Sequence, residues 1–136
     1  MPQVRHVLDT QHVSFSTMLV VRELAASEWF YVHHFGFEVT ERLESLRRLE
    51  RHGATLYLVL RGPPTADKPS VTFAPQPARD RPAVNLIFRV KDVSTVHSAL
   101  AGNGLLFLTP PAQPAWGGWR CFTQDPDGYL IEIEQP

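Results

Sequence analysis

The sequence predicts an α+β domain made of two copies of one strand–helix–strand unit, with a concave pocket where the copies meet. An apolar strand-like run opens each copy, at residues 16–24 and again at 85–93. Each run leads into a helical stretch and a glycine stop, first at Gly36 and then at Gly102 and Gly104. Each copy closes on a glycine followed by a strand, Gly53 before residues 54–60 and Gly128 before residues 129–135. At 136 residues the chain fits one domain and fits two independent ones poorly. The reading is therefore a single domain over 1–136, with module one at about 13–61, a connector at 62–83 and module two at about 84–136.

Residues 1–12, with His6 and His12 in polar company, read as a leader. Residues 13–21 are β-branched and apolar and make a strand buried on at least one face. The helix that follows carries a stripe of Leu24, Trp29, Phe30, Val32 and His33, and Gly36 supplies its left-handed stop. Residues 38–52 are rich in Leu, Glu and Arg, which favours a helix by composition. The repeat argues instead for two strands with a turn near residues 43–45, because the matching part of the second copy is strand-like and rich in proline. Residues 55–60 form a clear strand. Six prolines between residues 61 and 83 rule out a regular helix there and leave room for a short extended piece at 71–73. Residues 85–90 are the next strand, and Asp92 caps a helix over 92–101. Strands at 105–108, 120–123 and 129–134 complete the set. Asp125, Pro126, Asp127 and Gly128 form a tight turn between the last two. A calcium loop would need alternating ligands and a closing acid, which this turn lacks.

Composition narrows the function classes. Thirteen basic against fourteen acidic side chains leave no basic excess, so neither nucleic acid nor an anionic membrane is an expected partner. Arg42, Arg47, Arg48 and Arg51 are interleaved with Glu41, Glu44 and Glu50 and read as a solvated mixed-charge face. No apolar run approaches the roughly 18 to 20 residues that span a bilayer, and the expected location is cytoplasmic. Cys121 has no second cysteine to pair with and no activating neighbour in sequence, so it reads as a small buried apolar side chain.

Strand alternation then sorts the pocket. Leu130, Glu132 and Glu134 share one face and Ile131 and Ile133 the other. With the large apolar sets packed under the helices, Asn85, Arg89 and Glu132 point to the concave side by elimination. The same parity in the first copy gives Ser16, Met18 and Val20, then Thr55, Tyr57 and Val59.

These residues bring a family into view. The chain resembles the vicinal oxygen chelate superfamily of glyoxalases, extradiol dioxygenases, fosfomycin-resistance enzymes and bleomycin-resistance proteins. The matching pieces are residues 19–24, 30–31, 34–38, 88–93, Trp116 with Gly117, and the specific C-terminal stretch 125–133. The resemblance implies two βαβββ modules forming a curved eight-stranded mixed sheet, a cup with helices on its outer face, completed in a C2 homodimer. It also implies metal-ligand positions at the first and last strand of each module, which fall here on Ser16, Tyr57, Asn85 and Glu132. Only Glu132 is a good donor for a divalent transition metal. His12 has the parity of Ser16 but lies four residues, about 13 Å of extended chain, away. His33 and His34 read as surface or core helix residues. No metal and no cofactor is therefore expected, which points to the metal-free, bleomycin-resistance type.

The leading expectation is a small-molecule-binding protein that holds a planar or cationic ligand in the cup. Tyr57, Trp116, Trp119 and Phe122 offer an aromatic wall, and Glu132 or Glu134 a counter-charge. Alternatively, Trp116 and Trp119 merely pack the turn, and Glu132 pairs with Arg89 or Arg120. A second class is an enzyme, a lyase, isomerase or dioxygenase in which Glu132 acts as catalytic base or metal ligand. A third is an interaction module with a vestigial pocket.

Overall fold

A computed structural model describes residues 6–136, so residues 1–5 of the expected leader lie outside the described residues. The first module runs β1 (Thr17–Val20), α1 (Leu24–Phe35), β2 (Glu38–Leu43), β3 (Leu46–Arg51) and β4 (Ala54–Val59). The second runs β5 (Asn85–Arg89), α2 (Val93–Gly102), β6 (Trp119–Gln124) and β7 (Leu130–Gln135). Among the described residues the architecture is α+β, with two α-helices, a 3-10 turn at Val7–Thr10 and two mixed sheets. The first sheet has the order β1-β4-β3-β2 and the second β5-β7-β6. In each, the opening strand lies parallel to the closing one, as β1 with β4 and β5 with β7, and the other pairs are antiparallel.

The stretch with helical composition is a hairpin, as the repeat requires. β2 and β3 pair from Leu43↔Leu46 outward, leaving Glu44 and Ser45 as the turn. Alternation explains how so charged a segment remains sheet: Leu49 is buried against the core, while Arg42 and Arg47 reach from the helix side of the sheet to Glu28 of α1 at 3.1 and 3.0 Å. β3 and β4 are joined by His52 and Gly53 alone, at φ of 57° and 73°, the two left-handed residues that a tight hairpin of matching twist requires.

Both helices stop where glycine allows. Gly36 follows α1 at φ 74°, and its N–H returns to the carbonyl of Val32. Asp92 caps α2 by accepting the N–H of Thr95 at 3.1 Å. The buried stripe of α1 differs from the expected one. It is Leu24, Ser27, Phe30, Tyr31 and Phe35, whereas Trp29 is 58% exposed, because the helix turns its three- and four-residue repeat toward β4 and the second module.

Among the described residues seven strands form, not eight. The expected strand at 105–108 makes a single isolated bridge to β6, Phe107↔Thr123, and the segment after it makes a second, Ala112↔Arg120. Beyond it, Pro110, Pro111 and Pro114 lack the N–H donors that would extend the pairing along β6. The first strand is also shorter than the sequence suggests, beginning at Thr17. In the connector, the extended piece at 71–73 survives as a single bridge, Gly62↔Phe73. No helix among the described residues is long and apolar enough to cross a membrane.

One apolar cluster joins the modules, running from Leu19, Leu56 and Leu58 through Phe30 and Phe35 to Val93, Leu100, Ile131 and Ile133. Cys121 lies within it. Burial pushes its thiol up to about 11, which leaves it protonated and unreactive at neutral pH.

The turn between β6 and β7 ties the modules together. Asp125 accepts from Tyr31 Oη at 2.7 Å and from the N–H groups of Asp127 and Tyr129, both at 2.9 Å. Asp127 accepts from the Arg22 backbone N–H at 3.0 Å, from Arg22 Nη1 at 2.9 Å and from Ser27 Oγ at 3.3 Å. The proline-rich connector adds Gln76 Nε2 to the Gly128 carbonyl at 2.6 Å and Arg79 Nη2 to that of Pro126 at 2.8 Å. Burial raises the Asp125 carboxyl, with the hydrogen bonds from Tyr31 and the two N–H groups opposing it.

Candidate functional site

Register fixes which side chains share the face turned away from each helix. In the second sheet, Ile87 and Phe122 flank Glu132, Arg89 and Arg120 flank Glu134, and Asn85 and Gln124 flank Leu130. In the first, Met18, Tyr57 and Arg48 lie side by side across β1, β4 and β3, with Val20, Val59 and Leu46 in the next row.

Glu132 is the buried acid of the second face, only 7% exposed. Its Oε1 accepts from Asn85 Nδ2 at 2.9 Å, and its Oε2 has no hydrogen-bond partner among the described residues. The neighbouring charges are already matched or stacked. Arg89 Nε donates to Glu134 at 3.1 Å. The Arg120 guanidinium lies 5.0 Å from the ring centres of both Trp116 and Phe122. In the first sheet Arg48 Nη2 reaches Glu50 at 3.2 Å. Glu132 is thus paired with neither arginine considered for it; its partner is a neutral amide.

The structure brings Asn85, Arg89, Phe122 and Glu132 onto one face, with Trp116 joined to them through Arg120. Tyr57 is half-buried on the corresponding face of the first sheet. Ser16 lies just before β1, in a gap of about 190 Å³ between β1 and β5 that is also lined by Thr55 and Ile87. Trp119 is not with them. It sits an odd number of residues from Phe122 and shares the parity of buried Cys121 and Thr123, so it turns to the helix side, beside Lys91 and Asp92 at the start of α2. The same parity was readable in the sequence. Less readable was the role of Arg120, which occupies the aromatic faces that a bound cation would use.

The donor set does not fit a divalent metal. Of Ser16, Tyr57, Asn85 and Glu132 only the last is a strong ligand, and one of its oxygens is already bonded to Asn85. Among the described residues no three His, Cys, Asp or Glu side chains gather closely enough to hold an ion. His33 and His34 stand on α1 against Trp29, with His33 stacked on it at 4.4 Å.

Several solved structures share this fold. One is a glyoxalase/bleomycin resistance protein/dioxygenase from Nocardioides, at 22% identity over 92% of this chain and 84% of that one, with a TM-score of 0.74. A glyoxalase-related enzyme from Fulvimarina pelagi is 24% identical over 90% of this chain and 88% of that one, with a TM-score of 0.68. Lactoylglutathione lyase from Agrobacterium tumefaciens is 18% identical over 90% of this chain and 92% of that one, with a TM-score of 0.70. At such identities the likeness concerns the fold. No curated protein matches the chain. The family model for the Glyoxalase/Bleomycin resistance protein/Dioxygenase superfamily matches residues 10–133, nearly the whole of both modules, and the chain belongs to that superfamily.

Proposed function

We propose that this protein binds a planar, cationic small molecule without a metal, using the helix-averted faces of its two sheets as the walls of one cup. One observation carries the reading: Glu132 is buried on that face with a neutral amide as its partner and one oxygen free. The free Oε2 keeps contact with solvent and so stays open to a ligand's ammonium, amidinium or ring N–H, which would match the charge of this largely buried side chain. Tyr57 on the other sheet supplies flat surface, while Arg120 covers Phe122 across the ladder from Glu132. Ser16 and Asn85 supply hydrogen bonds at the seam. The donor set supports metal independence, since a serine, a phenol and an amide hold a divalent ion weakly. A soluble cytoplasmic homodimer of drug-sequestering type completes the proposal.

Thermal-shift and titration measurements with planar cationic dyes such as acriflavine test it. A raised melting temperature is expected, with affinity falling about tenfold or more in Glu132→Gln, the cost of one charge-assisted contact. Tightly held stoichiometric iron, nickel or zinc whose chelation abolished an activity would overturn metal independence. Undiminished dye affinity in Glu132→Gln would overturn the site.

A further inference from the structure

A second cavity lies at the edge of the second sheet, around β5. It occupies about 500 Å³ between the end of α1, the middle of α2 and β5, taking Phe88 and Val90 from the helix side of that strand and Ile87 and Arg89 from the other. That size falls in the range of small-molecule sites. Its walls are aromatic and aliphatic. Phe35 and Phe88 stack at 4.6 Å with their planes 16° apart, Phe37 stands edge-on to Phe88 at 6.2 Å, and Val96 and Leu100 close the α2 side. Ile133 lies at its base, and strand alternation puts Glu132 on the other face.

Three polar side chains reach this lining. His52 Nε2 is bonded to the Phe35 carbonyl at 2.9 Å, and Arg89 is bonded to Glu134 at 3.1 Å. Of the three, His34 is the one with a buried unpaired atom: its Nδ1 has no hydrogen-bond partner among the described residues. Burial, reinforced by His33, holds this imidazole below its ordinary range, so it is neutral at pH 7. A neutral imidazole nitrogen is either a donor or an acceptor, according to tautomer, and a hydroxyl pairs with both. An ion in the cleft would meet no unpaired charge and would lose its hydration without compensation.

We propose that this cleft between α1 and α2 is a second ligand site, selective for neutral phenols or aryl alcohols, with His34 as the polar anchor. The occupant is an aromatic ring with a short alkyl substituent and one hydroxyl, sized for the space between Phe88 and Val96. This site borders the Glu132 face at Ile87 and Arg89 but does not include Glu132.

Calorimetric titration with 4-propylphenol, alongside 4-propylbenzoate and 4-propylanisole, tests the assignment. The phenol should bind about tenfold or more tighter than the benzoate, which corresponds to one well-placed polar contact. The anisole, which can accept but not donate, should fall between them or equal the phenol, according to the imidazole tautomer. His34→Phe keeps the packing volume and should weaken the phenol by about tenfold. Val96→Trp fills the cleft and should abolish binding while leaving dye affinity at the Glu132 face intact. Near-UV circular dichroism checks that each variant is folded, and should Val96→Trp fail to fold, His34→Phe still decides. Phenol binding that survives His34→Phe unchanged, or that is weaker than that of the benzoate, overturns the assignment. So does a wild-type dimer that Val96→Trp dissociates in sedimentation, because a second copy would then cover the cleft.

Discussion

Two places in the second module bury carboxylates, and they do so in opposite ways. Asp125 and Glu132 are almost equally inaccessible, at 2% and 7% exposure, so burial alone does not distinguish them. Their partners do. Asp125 receives a phenol and two backbone N–H groups, and Asp127 beside it receives an arginine and a serine from the first module. Glu132 receives a single side-chain amide. A saturated carboxylate holds a structure together, whereas one with an open oxygen is poised for something the chain does not itself provide. The acids of the turn are therefore architectural, and the acid of the sheet face is the candidate anchor.

The sharpest way to break this contrast is to remove each acid in turn. Asp125→Ala strands the Tyr31 hydroxyl and two N–H groups, and should cost about 3 kcal/mol or more in denaturant unfolding. Glu132→Gln keeps the hydrogen bond from Asn85 and should change stability by about 1 kcal/mol or less while weakening the ligand. Equal losses of stability would make Glu132 structural too.

Tyr31→Phe leaves Asp125 one donor short and should cost about 1–2 kcal/mol at neutral pH. It should also change the response to alkali. Burial, reinforced by Asp125, holds the Tyr31 hydroxyl well above the ordinary 10.0, so the folded chain keeps a proton that the unfolded chain releases near pH 10. That contribution is complete below about pH 10 and is lost as pH rises beyond it. The parent protein should therefore lose stability more steeply above pH 10 than Tyr31→Phe, as followed by unfolding midpoints across that range.

The aromatic groups sharpen the comparison further. Arg120→Ala removes the cation stacked on Trp116 and Phe122 and should cost about 0.5–1 kcal/mol of stability. With those faces vacated, affinity for a planar cation should rise severalfold in the same titration. Trp119→Ala acts on the far side of the sheet and should leave that affinity within about twofold, the smallest of these effects.

The fold was legible wherever a local rule had one answer. The repeat outweighed helix propensity over residues 38–52, because Leu49 facing the core and Arg47 facing α1 obey a sheet period that composition ignores. Gly36 and Asp92 marked helix ends by rules that need no tertiary partner. Strand parity likewise placed Glu132 and Asn85 together on one face. The strand expected at 105–108 shrinks to one bridge and one further N–H to β6, because an apolar run becomes a ladder only where a neighbouring strand stays in register with it. Trp29 and Val32 suggested a stripe that α1 does not use, since what fills a helix face depends on what the helix packs against.

By itself, the sequence determined that residues 38–52 pair as strands, where the helices at Gly36 and Asp92 end and begin, and the parity that separates Glu132 from Ile131 and Ile133. Only the tertiary structure decided that Asp125 and Asp127 are consumed by α1, that Arg120 covers its own aromatic neighbours, and that Glu132 and His34 retain unused bonding capacity. The physical reason is that alternation and capping act between residues close in sequence. Whether a polar atom is satisfied depends on partners such as Tyr31 and Asp125, which lie far apart along the chain and meet only on folding.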